Sequence, residues 1–535
     1  MLFAGLLSST AFWWLLGHEQ EVPGALAPDW RVQCVSYTPF VGAQTPADFR
    51  VDRKRLERDF AVLSTLTGCV RIYSVSGMEL IPEVARSHGM TVIAGAWVGR
   101  DDAETEREIR GLITLANRYP DVVRAVLVGN EVLLRRERSA DELLQMLQRV
   151  RAGVSQPVSY GDVWDFWLQN PSIAAGADFV TIHLLPYWED HPSAIGAAID
   201  AVAHAHRQVA RAFPGKEILI GETGWPSQGR QREAAVPGRV NEARFVRGFV
   251  ERAGSQGWHY NLIEAFDQPW KRVQEGAVGG YWGLFDTGRN DKQVLRGTVS
   301  NLPGWRLCAG VALALWVGLM IAANGWQSWP AALIALVAAN GTILHLQQMR
   351  LFSRSLGEGA WFVLLAAAAL LAAWVGCRRI VGRGVPAWGG VVVGIVAALA
   401  TIEMLGLCFD PRYRHFPLAV FVAPALVAWP CAPREGMWHA RCRVLGAVLV
   451  LCIPFVLWNE TLRNLQALGW VVTMAVMAAG LLRPELRNAV ASGRIMGSMP
   501  RALPLSSIGE CKQRNDRGGS TESGVVEHER EQRER

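Results

Sequence analysis

The chain has 535 residues, a formal net charge of +6, 50% hydrophobic residues and 19% charged residues. That length allows two or three domains, and the small positive charge, without any basic patch interleaved with aromatics, calls for no nucleic-acid partner. The averages conceal two unlike halves: residues 30–300 mix charged and apolar residues, whereas from Trp305 onward apolar residues gather into long uncharged runs.

The chain opens with an apolar stretch from Leu2 to Leu16 that has no basic flank. Residues 1–17 are expected to be an uncleaved membrane anchor, with a signal peptide as the alternative. Within residues 30–300, β-branched runs recur at Val32 to Pro39, Cys69 to Val75, Met90 to Val98, Val123 to Val132, Pro157 to Val163, Asp178 to Leu184, Lys216 to Glu222 and Tyr260 to Phe266. Amphipathic helical stretches separate many of them: Val51 to Leu66, Asp102 to Tyr119, Ala140 to Ala152, Ala194 to Phe213 and Val240 to Gln256. This alternation predicts an α/β fold, a (β/α)8 TIM barrel. An open doubly wound sheet would carry a glycine-rich phosphate loop after its first strand, and none is present.

Of the nine cysteines, Cys34 and Cys69 lie in the barrel half and are expected as buried thiols, a disulfide between neighbouring strands being the alternative. No CxxC pair or Cys/His ligand spacing occurs, so neither a structural metal nor any cofactor is expected.

Residues at the C-terminal ends of barrel strands surround one mouth. The first half of that set is Tyr37, Arg71, Tyr73, Trp97, Asn130, Glu131, Asp162 and Trp164; His183, Tyr187, Glu222, Trp225, Glu264, Phe266 and Trp270 complete it. Carboxylates, aromatic rings and amides together suit a neutral polyol, which needs stacking surfaces and hydrogen bonds. Glu131 and Glu222 close the fourth and seventh apolar runs and should face each other across the mouth. Two such carboxylates can cleave or remake a glycosidic bond, one protonating the leaving oxygen while the other attacks the anomeric carbon; a retaining mechanism needs about 5 to 5.5 Å between them. As the acid, Glu131 should have its pKa raised by burial and by the charge of Glu222.

Five motifs then make the pattern specific: VRIYS at 70–74, VGNEV at 128–132, IGETGWPS at 220–227, EAFDQPWK at 264–271 and YWGLFD at 281–286. They resemble glycoside hydrolase family 17, the β-1,3-glucanase family of retaining barrel glycosidases. The resemblance implies that Glu131 is the general acid/base, that Glu222 is the nucleophile and that Asn130 holds the 2-hydroxyl of the attacked sugar. Gln268 and Pro269 stand where plant members usually have Glu-Asn, which makes the chain more similar to a bacterial membrane-attached branch sometimes named β-(1-6)-glucan synthases.

Beside the two catalytic candidates, the substrate-binding set comprises Asn130, Arg71, Tyr73, Tyr187, Trp225, Phe266, Trp270 and Lys271. Arg71 is expected to orient a catalytic carboxylate. Tyr73, Tyr187, Trp225 and Trp270 are sugar platforms or core residues, and His183 is a supporting residue. Glu264 is a third functional carboxylate or the partner of Lys271.

From 305 to 483 the apolar stretches lie at about 306–323, 330–346, 359–376, 388–408, 415–430, 443–458 and 465–482, a polytopic all-α membrane domain of about seven helices. Arg378, Arg379, Arg383, Arg434, Arg441, Arg443, Arg483, Arg487 and Arg494 mark one set of connections, and Arg350, Arg354, Arg412, Arg414 and Arg463 the other. The positive-inside rule then puts the barrel outside an inner cell membrane, periplasmic or extracellular, and the C-terminus in the cytoplasm. Residues 498–535 read as a disordered polar tail.

These features predict a retaining glycosidase or transglycosylase acting on β-glucans at the outer face of a lipid bilayer. A β-glucan-binding or transport-associated membrane protein with an accessory barrel is the alternative; Glu403 and His345 are the ionisable candidates for transport. The sequence leaves oligomeric state, the linkage formed and hydrolysis versus transfer open.

Overall fold

Eight of the β-branched runs become strands in the computed structural model, which describes residues 1–491 apart from 28, 43 and 46–51, with side chains as far as Arg483. The strands are β1 (Val35–Ser36), β2 (Cys69–Arg71), β3 (Thr91–Ala96), β4 (Val123–Asn130), β5 (Val158–Val163), β6 (Val180–Leu184), β7 (Ile218–Thr223) and β8 (His259–Leu262). They pair in parallel in sequence order, and β8 returns to β1 to close the barrel.

Helix α1 (Leu2–Gly17) precedes the barrel. The crossovers are α2 (Arg53–Leu63), α3 (Ile81–Ser87), α4 (Asp102–Arg118), α5 (Ala140–Gly153), α6 (Trp164–Gln169), α7 (Ile195–Ala212) and α8 (Arg239–Gln256), with α9 (Arg272–Gly279) following β8. The helix expected from Val51 begins at Arg53; Val51 itself, like the expected tail at 498–535, lies outside the described residues. The short helices α3 and α6 escape a periodicity reading because seven and six residues scarcely complete two turns.

Local chemistry sets the helix ends. Asp101 accepts the Glu104 amide at 2.8 Å to start α4, and Ser139 with Glu142 forms a reciprocal capping box on α5. Gly257, at φ 67°, ends α8 in the left-handed conformation that costs glycine least.

At the base of the barrel, Cys34 and Cys69 are joined in a disulfide, so the expectation of two free thiols is corrected. The register supplies the reason: Val35 pairs with Val70, which brings the preceding cysteines side by side with their Cα atoms 4.5 Å apart.

The second half is helical: α10 (Trp305–Ala323), α11 (Trp329–Phe352), α12 (Leu356–Ile380), α13 (Gly389–Phe409), α14 (Leu418–Cys431), α15 (Gly436–Glu460) and α16 (Leu465–Ala491). Six of these seven are long and apolar enough to cross a membrane. The exception is α14, whose 14 residues include Pro424 and Pro430; at 1.5 Å per residue it reaches roughly 21 Å, less than a hydrocarbon core of about 30 Å, yet the chain order requires the α14 segment to run from the α13–α14 connection to the opposite face before α15 returns. Helix α1 packs against this region through polar contacts, Ser9 Oγ and Trp13 Nε1 both donating to Asn340 Oδ1, at 2.8 and 2.7 Å. Of the two transport candidates, Glu403 accepts a hydrogen bond from Trp361 Nε1, and His345 Nε2 lies 3.1 Å from the Phe362 carbonyl.

Barrel and helices meet through loops. After β7, Arg230 pairs with Glu460 and donates to the Pro411 carbonyl. Gln231 N donates to Gln466 Oε1 at 2.9 Å, and Asn464 Nδ2 donates to the Gln231 carbonyl at 3.1 Å. After β8, Arg272 and Tyr281 both donate to the Leu351 carbonyl at 2.9 Å. The connections α11–α12, α13–α14 and α15–α16 therefore share the face that meets the barrel.

The Arg230–Glu460 side chains are 8% and 6% exposed, so removing one partner strands a desolvated charge. Arg230→Ala is expected to destabilise the chain by about 3 to 5 kcal/mol, and Arg230→Met combined with Glu460→Leu to recover most of the loss. Thermal unfolding in detergent tests this; a single variant as stable as wild type would contradict it.

Candidate active site

The site is built around Arg71, which ends β2 and is 1% exposed. A buried guanidinium needs acceptors, and it draws them from several strands. It donates to Asn130 Oδ1 at 2.6 Å, to the Gly221 carbonyl at 2.6 Å and to Glu222 Oε1 at 3.4 Å. Two glycines leave room for it: a Cβ on Gly221 would sit 3.2 Å from Arg71 Nη1, and one on Gly161 would sit 3.0 Å from Nη2. Tyr73 lies under the guanidinium, 4.6 Å from its ring centroid, and its hydroxyl is 2.8 Å from Ser36 Oγ.

Glu222 lies near the end of β7 and is 5% exposed. Glu131 immediately follows β4 with φ 52°, a left-handed backbone costing a non-glycine residue about 1 to 3 kcal/mol. Its amide donates to the Gly161 carbonyl at 2.7 Å and its carbonyl accepts from Arg135 at 2.9 Å, which hold that turn and aim the side chain into the mouth.

His183 links the two carboxylates. Its Nδ1 is 2.9 Å from Glu131 Oε1 and its Nε2 is 3.6 Å from Glu222 Oε1. Ligand atoms of Glu131, His183 and Glu222 all lie within 4.8 Å of one another, a spacing that could hold a metal ion. The Arg71 guanidinium, 3.4 Å from Glu222 and 3.5 Å from His183, already supplies a cation to this cluster.

The expected upward shift of the Glu131 pKa is not what the neighbours produce. Burial pushes it up, but the hydrogen bond and charge of His183, with the charges of Arg135 and Arg71, outweigh burial and hold it below the usual value. Glu264 behaves differently: burial, opposed by Lys271, pushes its pKa up to about 7. Lys271 Nζ sits 3.0 and 3.1 Å from the Glu264 oxygens, so these two residues are each other's partner. Asp162, beside the site, is raised to about 6 by burial against the hydrogen bond from Tyr160.

Three of the expected sugar-binding rings are walls of the barrel rather than open platforms. Tyr187 is fully buried with its hydroxyl donating to the Arg230 carbonyl at 2.8 Å. Trp225, also fully buried, donates from Nε1 to the Val236 carbonyl at 3.0 Å. Phe266 is 1% exposed and packs beside Phe285. Loops folded over these rings withdraw their faces from the mouth. Trp270 is half-buried against Phe40, its Nε1 donating to Gln268 Oε1 at 3.0 Å. Trp97, outside the expected binding set, has an exposed ring with Arg135 4.3 Å from its centroid. Arg135 escaped sequence reading, although its place four residues after Glu131 in the strand-end loop was a cue.

Residues 34–283 match the family described as the BtgE/BtgC glycoside hydrolase domain. The barrel is thus similar in sequence to a glycoside hydrolase domain. The chain is similar to the btgC protein of Aspergillus niger, 28% identical over 298 residues, with 48% of this chain and 42% of that protein covered. It is 29% identical over 258 residues to a glucan 1,3-beta-glucosidase of Schizosaccharomyces pombe, covering 45% of this chain and 80% of the relative. A solved family 17 β-1,3-glucanosyltransferase of Rhizomucor miehei is 26% identical, covers 49% of this chain and 96% of its own, and superposes with a TM-score of 0.44. The chain spans less than half the length of the Aspergillus btgC proteins it matches.

In this barrel the Glu131 shift depends on His183. His183→Ala removes both a hydrogen bond and a charge that favour the ionised carboxylate, so the Glu131 midpoint should move upward. A carbon-13 NMR titration of labelled glutamate side chains reads it; an unchanged or lower midpoint would refute the assignment.

Proposed function

We propose that this chain is a retaining glycosidase or transglycosylase that acts on β-1,3-linked glucan at the outer face of a membrane. The observation that carries the reading is the pairing of Glu131, just past β4, with Glu222 on β7, one carboxylate oxygen of each lying within 4.8 Å of the other. An inverting enzyme needs about 6.5 to 9.5 Å to admit water between its carboxylates. The glucan specificity follows relatives of similar sequence, among them the glucan 1,3-beta-glucosidase of Schizosaccharomyces pombe.

Glu222 attacks the anomeric carbon, the bond to the leaving oxygen breaks, and that oxygen takes the proton of Glu131. Glu131, now a base, removes a proton from water or a sugar hydroxyl, whose oxygen displaces Glu222 and restores the anomeric configuration. Asn130, with Oδ1 held by Arg71, turns its amide to the 2-hydroxyl. Sugar in the mouth expels water from Glu131, and desolvation is the contribution that raises its pKa, so substrate itself favours the proton the acid needs.

Three features support the outer face. The Cys34–Cys69 disulfide suits an oxidising compartment. The loops touching the barrel are those near Arg350, Arg354, Arg412, Arg414 and Arg463, the set poorer in arginine. The packing of α1 on Asn340 suits an anchor kept in the mature protein.

Glu222→Ala should abolish the covalent intermediate, while Glu131→Ala should slow natural glucans far more than aryl glycosides whose leaving group departs without a proton, by about 10²-fold or more. Proton NMR of the first-formed product should show a retained anomer; inversion would exclude Glu222 as nucleophile. Sidedness has its own test: a phosphatase fused after Trp305 should be active and one after Arg494 inactive, and the reverse pattern would remove the outer-face reading.

A further inference from the structure

A cavity opens where the barrel mouth meets the helical region, and the catalytic scheme makes no use of it. Trp188 lines it from the loop after β6, Glu275 from α9, Tyr413 from the α13–α14 loop, and Trp361 and Glu403 from α12 and α13. Tyr187, just past the mouth end of β6, lines it as well, and burial pushes Glu275 up to about 7 there, with Lys271 opposing the rise.

The lining chemistry narrows the occupant. Most of its charges already have partners: Arg354 with Glu358, Arg230 with Glu460 and Arg414 with Asp410. Arg412 has no ion pair among the described residues, and the unpaired Glu275 carboxylate offsets it, so the lining offers no net surplus of cation to a phosphate. Rings and acceptors remain available. Trp188, Trp361 and Tyr413 are each half-buried, so their faces are open in part, and among the described residues the Glu275 carboxylate makes no hydrogen bond or ion pair. Partly open rings beside a free acceptor fit a neutral polyhydroxy chain. Gly276, at φ 70°, lets α9 approach the helical loop, since a Cβ there would lie 3.0 Å from Tyr413 Cβ.

We propose that the substrate cleft continues past the barrel mouth into this junction cavity, which binds glucosyl units of a β-glucan chain remote from the scissile bond. The helical region thus supplies part of the carbohydrate site. This rests on the glycosidase reading above, and it assigns the chain's length selectivity to residues outside the barrel.

The test uses full-length protein in lipid nanodiscs with Glu222→Gln as a non-cleaving background. Calorimetry compares laminarihexaose with laminaribiose before and after Tyr413→Ala and, separately, Glu275→Gln, which leaves every hydrogen bond of the fold intact. Each substitution should weaken hexaose about tenfold and biose less than about twofold. Unchanged hexaose affinity, or equal losses for both sugars, overturns the cavity assignment. Product analysis of the wild-type chain separates the two ideas: glucan turnover with unchanged hexaose affinity sinks the cavity alone, whereas length-selective binding without turnover sinks the glycosidase reading and upholds the cavity.

Discussion

A guanidinium held out of water must find acceptors or leave, and Arg71 finds them at the ends of three other strands. Its bonds to Asn130, Gly221 and Glu222 join β4 and β7 through a residue of β2, while His183 of β6 closes the ring from the opposite side. Barrel closure fixes where these strands end, and the buried cation then fixes where the carboxylates point. Glu222 is pinned by this contact, and Glu131 is reached one step later through His183. The left-handed turn at Glu131 is kept because backbone bonds on both sides hold it.

Much of this was legible in the sequence, because parallel barrel strands buried on both faces read as short β-branched runs and their order follows the chain. Six of the eight runs contain their strands whole, β7 and β8 overrun theirs by one residue each, and both glutamates sit where a strand end aims at the mouth. Ring exposure was not legible. Tyr187 and Trp225 lie just past strand ends, where the outward or inward turn depends on a distant partner; the carbonyls of Arg230 and Val236 decide it. The downward shift at Glu131 was missed for a similar reason, since His183 is 52 residues away in sequence. The disulfide, by contrast, could have been read: in a barrel closed in order, β1 and β2 are neighbours, and Cys34 and Cys69 each precede a residue of the Val35–Val70 pair.

The join between barrel and helices left no sequence signal. Gln231, Asn464 and Gln466 are ordinary polar loop residues, and only the fold shows that they satisfy one another's backbone and amide groups. The length of α14 was equally hard to judge, because an apolar run does not say where its helix begins and ends. Both cases share a cause: periodicity reports what one element buries, not which element receives it.

The hydrogen bonds from Ser9 and Trp13 to Asn340 carry a consequence for the order of assembly. Their partners are 331 and 327 residues apart, so a growing chain makes the donors first and completes the whole barrel before the acceptor exists. The docking contacts of Gln231 with Asn464 and Gln466 wait longer still. During synthesis the barrel is therefore complete before the helices that hold its loops exist, and its contacts with them are the late step of assembly.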